Sequence, residues 1–341
     1  MKILVFRFSA MGDVALCLPV LKAVLAYNPE VEITFVTRRS FAFLFEGIPR
    51  LKVYIAEFEN SHKGFKGLIK LSRELKKQDQ YDYICDLHQV LRSQILNKLF
   101  WNVKKSKINK ERSAKNKFRK KPIKQYLKHT TLRYLEVFFP LGLKLPTKIS
   151  ELLNYGYEKE FTNSKVENLL AKISSHKIIG IAPFARHFTK IWPFEHLDKL
   201  LQILSKRENT SVLLFGGPED ENKLGPCEQK YSNVINLAGV YNLEEELALM
   251  KKLSVMVAMD SANMHFATLC RVPVVSIWGG THPGFGFYPI DHRSVILEVE
   301  PTELTCRPCS LFGKSECPVG HFKCMYDISP ERVANEVLNF L

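Results

Sequence analysis

No apolar run in the 341 residues approaches the roughly 18 that a membrane-spanning helix needs. The first strand-like run, Ile3 to Phe6, is cut short by Arg7 and ends before Asp13, so the long apolar core of a secretion signal is missing too. These absences lead to the expectation of a cytoplasmic protein. No short-period internal repeat is present, and the two halves share only a coarse likeness of architecture. The loop after the first strand, residues 8–13, has one glycine where a dinucleotide fingerprint needs three, which counts against a Rossmann-type oxidoreductase. Acidic residues are nearly missing from one place: residues 98–128 hold 13 Lys and Arg and a single acid, Glu111. That stretch also lacks interleaved aromatics beyond Trp101, Phe118 and Tyr126 and carries no nucleic-acid-binding signature, so a nucleic-acid partner is not expected.

Hydrophobic residues make up 46% of the chain, enough to exclude disorder throughout, and the length suits two domains. The net charge of +14 is local, because outside residues 98–128 there are 36 basic residues against 34 acidic ones. A local basic device implies a local anionic partner, unless it is a solvated loop.

Strand-like and helix-like patterns alternate. Strands are expected at residues 2–7, 31–37, 52–58 and 83–87, with helices at 14–27, 67–77, 90–101 and 130–141. The pattern weakens over 145–175, a candidate linker. It resumes with strands at 177–182, 211–215, 234–237, 254–259 and 272–277 and helices at 194–204, 219–229, 243–252 and 262–269. A last helix, 329–341, opens on Ser329-Pro330. Such alternation predicts parallel βαβ units in two halves. The expected domains are 1–160 with the basic insertion 98–128, then 175–328, then the helix 329–341.

Five strand-end loops carry chemistry-bearing residues, and in parallel sheets ligands bind beyond the carboxyl ends of the strands. Gly12-Asp13 places an acid where a helix begins, either as a cap or as a functional group. Lys190, before Trp192-Pro193, can meet a diphosphate as a point charge or remain a solvated lysine. Gly216-Gly217-Pro218-Glu219-Asp220 is either a turn or a ribose contact. Asp260-Ser261-Ala262-Asn263-Met264-His265 opens a helix whose N-terminus suits a phosphate. Gly279-Gly280-Thr281-His282 adds another hydroxyl. One or two such loops arise readily by chance, five on the same edges less so.

This ordered set, from Arg7-Phe8-Ser9-Ala10-Met11-Gly12-Asp13 to Phe322-Lys323-Cys324-Met325, resembles glycosyltransferase family 9, the lipopolysaccharide heptosyltransferase family. Asp86-Leu87-His88 with Arg92-Ser93 is similar to a further family pattern. The resemblance implies an α/β GT-B fold, two Rossmann-like parallel-sheet domains facing a central cleft. It implies transfer of heptose or a related sugar from an ADP-sugar to the lipopolysaccharide inner core, with inversion, no metal and no required cofactor. By the same resemblance Asp13 is the catalytic base, and Lys190, Asp220, Asp260, Ser261, Ala262 and His265 bind the donor. Ser9, Met11, Gly12 and Arg92 would meet the acceptor, an anionic glycolipid. The chain departs from the family where Ser261-Ala262 stands for Thr-Gly: the hydroxyl is kept, and a methyl is added where a phosphate approaches. The basic insertion would add peripheral contact with the anionic inner face of the cytoplasmic membrane, where Trp101 and Phe118 would add an apolar contact.

Of eight cysteines, four are scattered and expected to be buried. The others are spaced Cys306-x2-Cys309-x7-Cys317-x6-Cys324. Four thiolates at such spacing leave a structural zinc as a weaker alternative to packed, reduced thiols.

Overall fold

A computed structural model describes residues 1–121, 125–173 and 177–341. Residues 122–124 of the basic stretch, and Ser175, where the second domain was expected to start, lie outside the described residues. The chain divides into two compact units, Met1–Lys110 with Lys128–Tyr157, and Glu111–Leu127 with Glu158–Leu341.

The first unit is built on β1 (Lys2–Phe6), β2 (Glu32–Thr37), β3 (Leu51–Ile55), β4 (Tyr83–Asp86) and β5 (Lys104–Lys107), in the order β3-β2-β1-β4-β5. All neighbours run parallel, with Val5 beside Phe35 on one side and Cys85 on the other. The central strands are near-continuous apolar runs because both faces are covered. Leu4, Phe6, Ile84, Leu96 and Phe100 share one buried cluster.

The second unit contains β6 (Lys177–Ala182), β7 (Thr210–Leu214), β8 (Val234–Asn236), β9 (Val255–Met259), β10 (Val274–Trp278) and β11 (Val295–Glu298), ordered β11-β10-β9-β6-β7-β8 and again parallel. The helix Pro330–Leu338 packs Val333, Ala334 and Val337 into this unit's core, and Ser329 caps it by accepting the Arg332 N–H.

Both sheets have the Rossmann order. The winding reverses between β1 and β4 in one sheet and between β6 and β9 in the other, the places where such sheets bind ligands. Asp13 follows β1, Lys190 follows β6 and Asp260 follows β9, so the fold puts the expected chemistry at the two switch points.

Three elements differ from expectation. The basic stretch is not simply a loop, since it contains the edge strand β5 and the helix Arg112–Lys120. Its expected place was the first domain, but residues 111–127 group with the second unit. Phe118 docks there at 5.1 Å from the His282 ring and 5.2 Å from Phe285, and the Leu127 N–H donates to Gly284 O. The expected linker contains the helix Ser164–Lys172, capped by Asn163 and anchored by Val166 and Leu169.

Candidate active site

At the first switch point Asp13 is the third residue of the short helix Met11–Ala15, whose N-cap is Ala10; it is therefore not the cap. Gly12 lies inside this helix. The Asp13 carboxylate pairs with Arg7 at 2.7 Å, and its other oxygen lies 3.4 Å from the Tyr134 hydroxyl. Arg7 is buried and anchored through Nη1 to Leu87 O at 2.7 Å, so it fixes the acid against the end of β4. Burial works against the Arg7 charge, but the Asp13 carboxylate together with Tyr134 and Cys17 outweighs it, and the Arg7 pKa is raised. Burial likewise pushes the Tyr134 phenol up, so it stays protonated.

The loop after β4 organises this end of the sheet. Asp86 is fully buried and accepts from the N–H groups of His88 and Gln89 and from the side chains of Gln89 and Asn97. His88 is pushed down to about 3 by burial and by the Arg7 charge. Neutral, it accepts the Phe8 N–H at 3.3 Å and lies 3.5 Å from Ser9 Oγ. Met11 is exposed. Arg92 lies over the Phe58 ring at 5.0 Å with its side chain in solvent.

At the second switch point Lys190 and Asp260, 70 positions apart, meet. Lys190 Nζ is 2.7 Å from Asp260 Oδ2 and 3.1 Å from its backbone O. An ammonium has three donors, so one remains for an incoming group. Ser261 is the N-cap of the helix Ala262–Leu269, yet its hydroxyl bonds no helix N–H; the oxygen is buried and has no hydrogen-bond partner among the described residues. The first-turn N–H groups have no acceptor inside the helix, and its dipole favours an anion there. One free ammonium donor, one orphaned hydroxyl and a helix N-terminus suit a phosphate. Ala262 is the first helical residue, and His265 is buried one turn further on.

Asp220 is buried and engaged with its own turn, accepting the Gly217 N–H at 3.2 Å and Lys223 Nζ at 2.9 Å. Gly216 keeps that turn close, since a Cβ there would stand 3.0 Å from Asp220 Cβ and 3.2 Å from Ala238 Cβ and would push them aside by a few tenths of an ångström. The structure thus brings together Lys190, Asp260 and Ser261, and separately Asp13 with the Ser9 loop. Arg7, Tyr134 and Thr281 were not singled out as site residues by the sequence reading. A lone arginine ending an apolar strand was the available signal for Arg7. Thr281, in one of the five loops, donates its hydroxyl to Asp260 Oδ2 at 2.7 Å.

Cys306, Cys309, Cys317 and Cys324 line one small cavity of about 40 Å³ with His321. All four are free thiols, and among the described residues no three His, Cys, Asp or Glu side chains are gathered to hold a metal ion. Among the described residues no helix is long and apolar enough to cross a membrane.

A family model, glycosyltransferase family 9 (heptosyltransferase), matches residues 68–314. The chain is 25% identical to lipooligosaccharide heptosyltransferase 2 of Campylobacter jejuni, over 99% of this chain and 98% of the relative. Among solved structures, a glycosyl transferase family 9 protein of Veillonella parvula superposes with a TM-score of 0.77 at 20% identity, covering 99% of this chain and 96% of that one. The ADP-heptose lps heptosyltransferase II of E. coli superposes with a TM-score of 0.72, also at 20% identity, over 100% and 98% of the two chains. At such identities these likenesses speak for the fold.

Proposed function

The chain belongs to glycosyltransferase family 9, the heptosyltransferase family, and from that premise we propose that it transfers heptose, or a related sugar, from an ADP-sugar to the inner core of lipopolysaccharide. The name of the Campylobacter relative supports the class of acceptor, and that of the E. coli structure supports the donor. The observation that carries the reading is the anion site of Lys190, Ser261 and the N-terminus of the helix Ala262–Leu269. It suits the diphosphate of a nucleotide sugar.

In the proposed reaction Asp13 accepts the proton of an acceptor hydroxyl, whose oxygen attacks the anomeric carbon. The bond from that carbon to the diphosphate oxygen breaks on the opposite face, inverting the centre. Positive charge grows on the sugar ring and negative charge on the departing diphosphate. Lys190 and the helix N-terminus meet the latter, fixed groups that can replace a metal ion. Arg7 and Tyr134 orient Asp13. Asp260 and His265 line the donor side, and Asp220 holds the loop expected near the ribose. Ser9, Met11, Gly12 and Arg92 face the acceptor task in the first domain. Retention of activity in EDTA is expected on this reading.

The test is calorimetry with ADP, UDP and NAD, followed by a donor screen on a truncated core acceptor read by mass spectrometry. Binding of ADP and a mass gain of one heptose are expected. Binding of NAD alone, or no sugar transfer from any nucleotide donor, would sink the proposal.

A further inference from the structure

We propose that Arg307 is a positioning residue for the donor phosphates, acting through Thr281 to hold Asp260 and Lys190 in place; this rests on the anion-site reading above. Arg307 is 2% exposed, and all five of its N–H donors are used. Nε donates to Gly279 O at 2.9 Å, and Nη2 donates to Thr281 O at 2.8 Å and Trp278 O at 3.4 Å. Nη1 donates to Glu298 Oε2 at 2.8 Å and to Val299 O. Three bonds therefore clamp the loop leaving β10, and two fasten it to the end of β11.

The clamped loop reaches the phosphate site by two routes. Thr281 is 1% exposed, and its hydroxyl donates to Asp260 Oδ2, the atom that also receives Lys190. The Gly280 N–H donates to Thr189 O at 2.8 Å, holding the residue before Lys190. The segment after Arg307 completes the hold. Ser310 N donates to Gly280 O at 3.1 Å, and Lys314 N donates to Thr189 Oγ1 at 2.8 Å.

The loop has no slack. A Cβ on Gly279 would stand 2.7 Å from Met325 Cε, and one on Gly280 would stand 2.9 Å from Thr189 Cβ and 3.0 Å from Cys309 Sγ. Carbonyls at fixed positions need a planar fork, which a lysine ammonium does not supply. The cysteine-bearing segment accordingly works as a buttress behind the phosphate site. None of its residues needs to touch the donor.

The experiment compares ADP with adenosine by calorimetry on the full chain. Arg307→Lys should weaken ADP binding about ten-fold, roughly 1.4 kcal/mol, while adenosine affinity stays within about two-fold. Thr281→Val keeps every Arg307 bond and cuts only the hydroxyl link; it should reproduce the ADP-selective loss, and Thr281→Ser should restore wild-type affinity. In transfer assays the donor KM should rise more than kcat falls. Arg307→Lys could fail to fold, and the Thr281 pair then decides. If Thr281→Val binds ADP like the wild type, or loses ADP and adenosine equally, the relay is refuted. A wild-type protein that does not bind ADP at all would instead remove the donor reading on which the relay rests.

Discussion

The Asp13 carboxylate is held by the Arg7 guanidinium and faces the Tyr134 hydroxyl. A base must take a proton, yet Arg7 at 2.7 Å favours the anion. The pair makes sense if orientation is what Arg7 supplies, since its other nitrogen is fixed to Leu87 O. Asp13→Asn keeps the shape and removes the basicity. It should leave ADP affinity unchanged and lower turnover by roughly two to four powers of ten; a loss of only a few-fold would reduce Asp13 to a structural partner of Arg7. Lys190→Ala should weaken ADP several-fold or more and spare adenosine, as calorimetry can read. Away from both sites, Glu246 in the helix Leu243–Met250 is raised by burial from 4.5 to about 8. With the folded value above the unfolded one, stability is complete below about 4.5 and is lost as pH rises toward 8. Glu246→Gln should therefore match the wild type near pH 4.5 and gain an advantage of up to about 1.4 kcal/mol per pH unit toward pH 8. Urea midpoints measured across that range will show it, and a constant offset would contradict it.

At the scale of elements, apolar periodicity located the frame well. β6 and the helices Phe194–Leu204 and Ala262–Leu269 lie where the pattern puts them, because each buries a face against a sheet. β5 was illegible, since Lys-Lys-Ser-Lys has no apolar alternation; it joins β4 through backbone pairing, with Lys104 over the Tyr83 ring at 5.6 Å. Lysines on an edge strand also discourage pairing with another chain, which gives β5 a structural reason for its charge. The phosphate site was readable as separate loops, because Lys190, Asp260 and Ser261 each sit at a strand end. The Arg307 clamp was not, because four of its five bonds go to backbone carbonyls, which leave no mark on sequence. Phe118 shows the converse error. It was expected to offer an apolar face at a membrane, but it is 2% exposed, and its ring fills the space beside Gly284, where a Cβ would stand 2.3 Å from Cζ. Phe118→Ala should therefore cost the second unit about 3–5 kcal/mol, with faster hydrogen exchange around Phe285. Unchanged stability would mean that the helix Arg112–Lys120 does not depend on this anchor.

For the whole molecule, the charge outside residues 98–128 nearly cancels, so that stretch sets the long-range field. Within it Lys115 and Phe118 are buried; its exposed basic residues include five lysines, Lys104, Lys105 and Lys107 in the first unit, where Trp101 is 82% exposed, and Lys120 and Lys121 in the second. An acceptor lipid held in an anionic leaflet would attract such residues, each one near it contributing on the order of 1 kcal/mol. Five of them would suffice for peripheral association without any spanning helix. Counter-ions limit the reach of this attraction to about 8 Å at physiological salt, so co-sedimentation with anionic vesicles should be clear at low salt and fall steeply as salt rises. Replacing the five lysines with glutamine should abolish it and leave ADP affinity intact. Because three of them lie on the β5 edge, the variant's oligomeric state must be followed by analytical ultracentrifugation; self-association would show that the charge guards the edge. A variant that stays monomeric, still co-sediments with anionic vesicles and transfers sugar to a lipid-linked acceptor at the wild-type rate would reduce the basic stretch to a solvated surface.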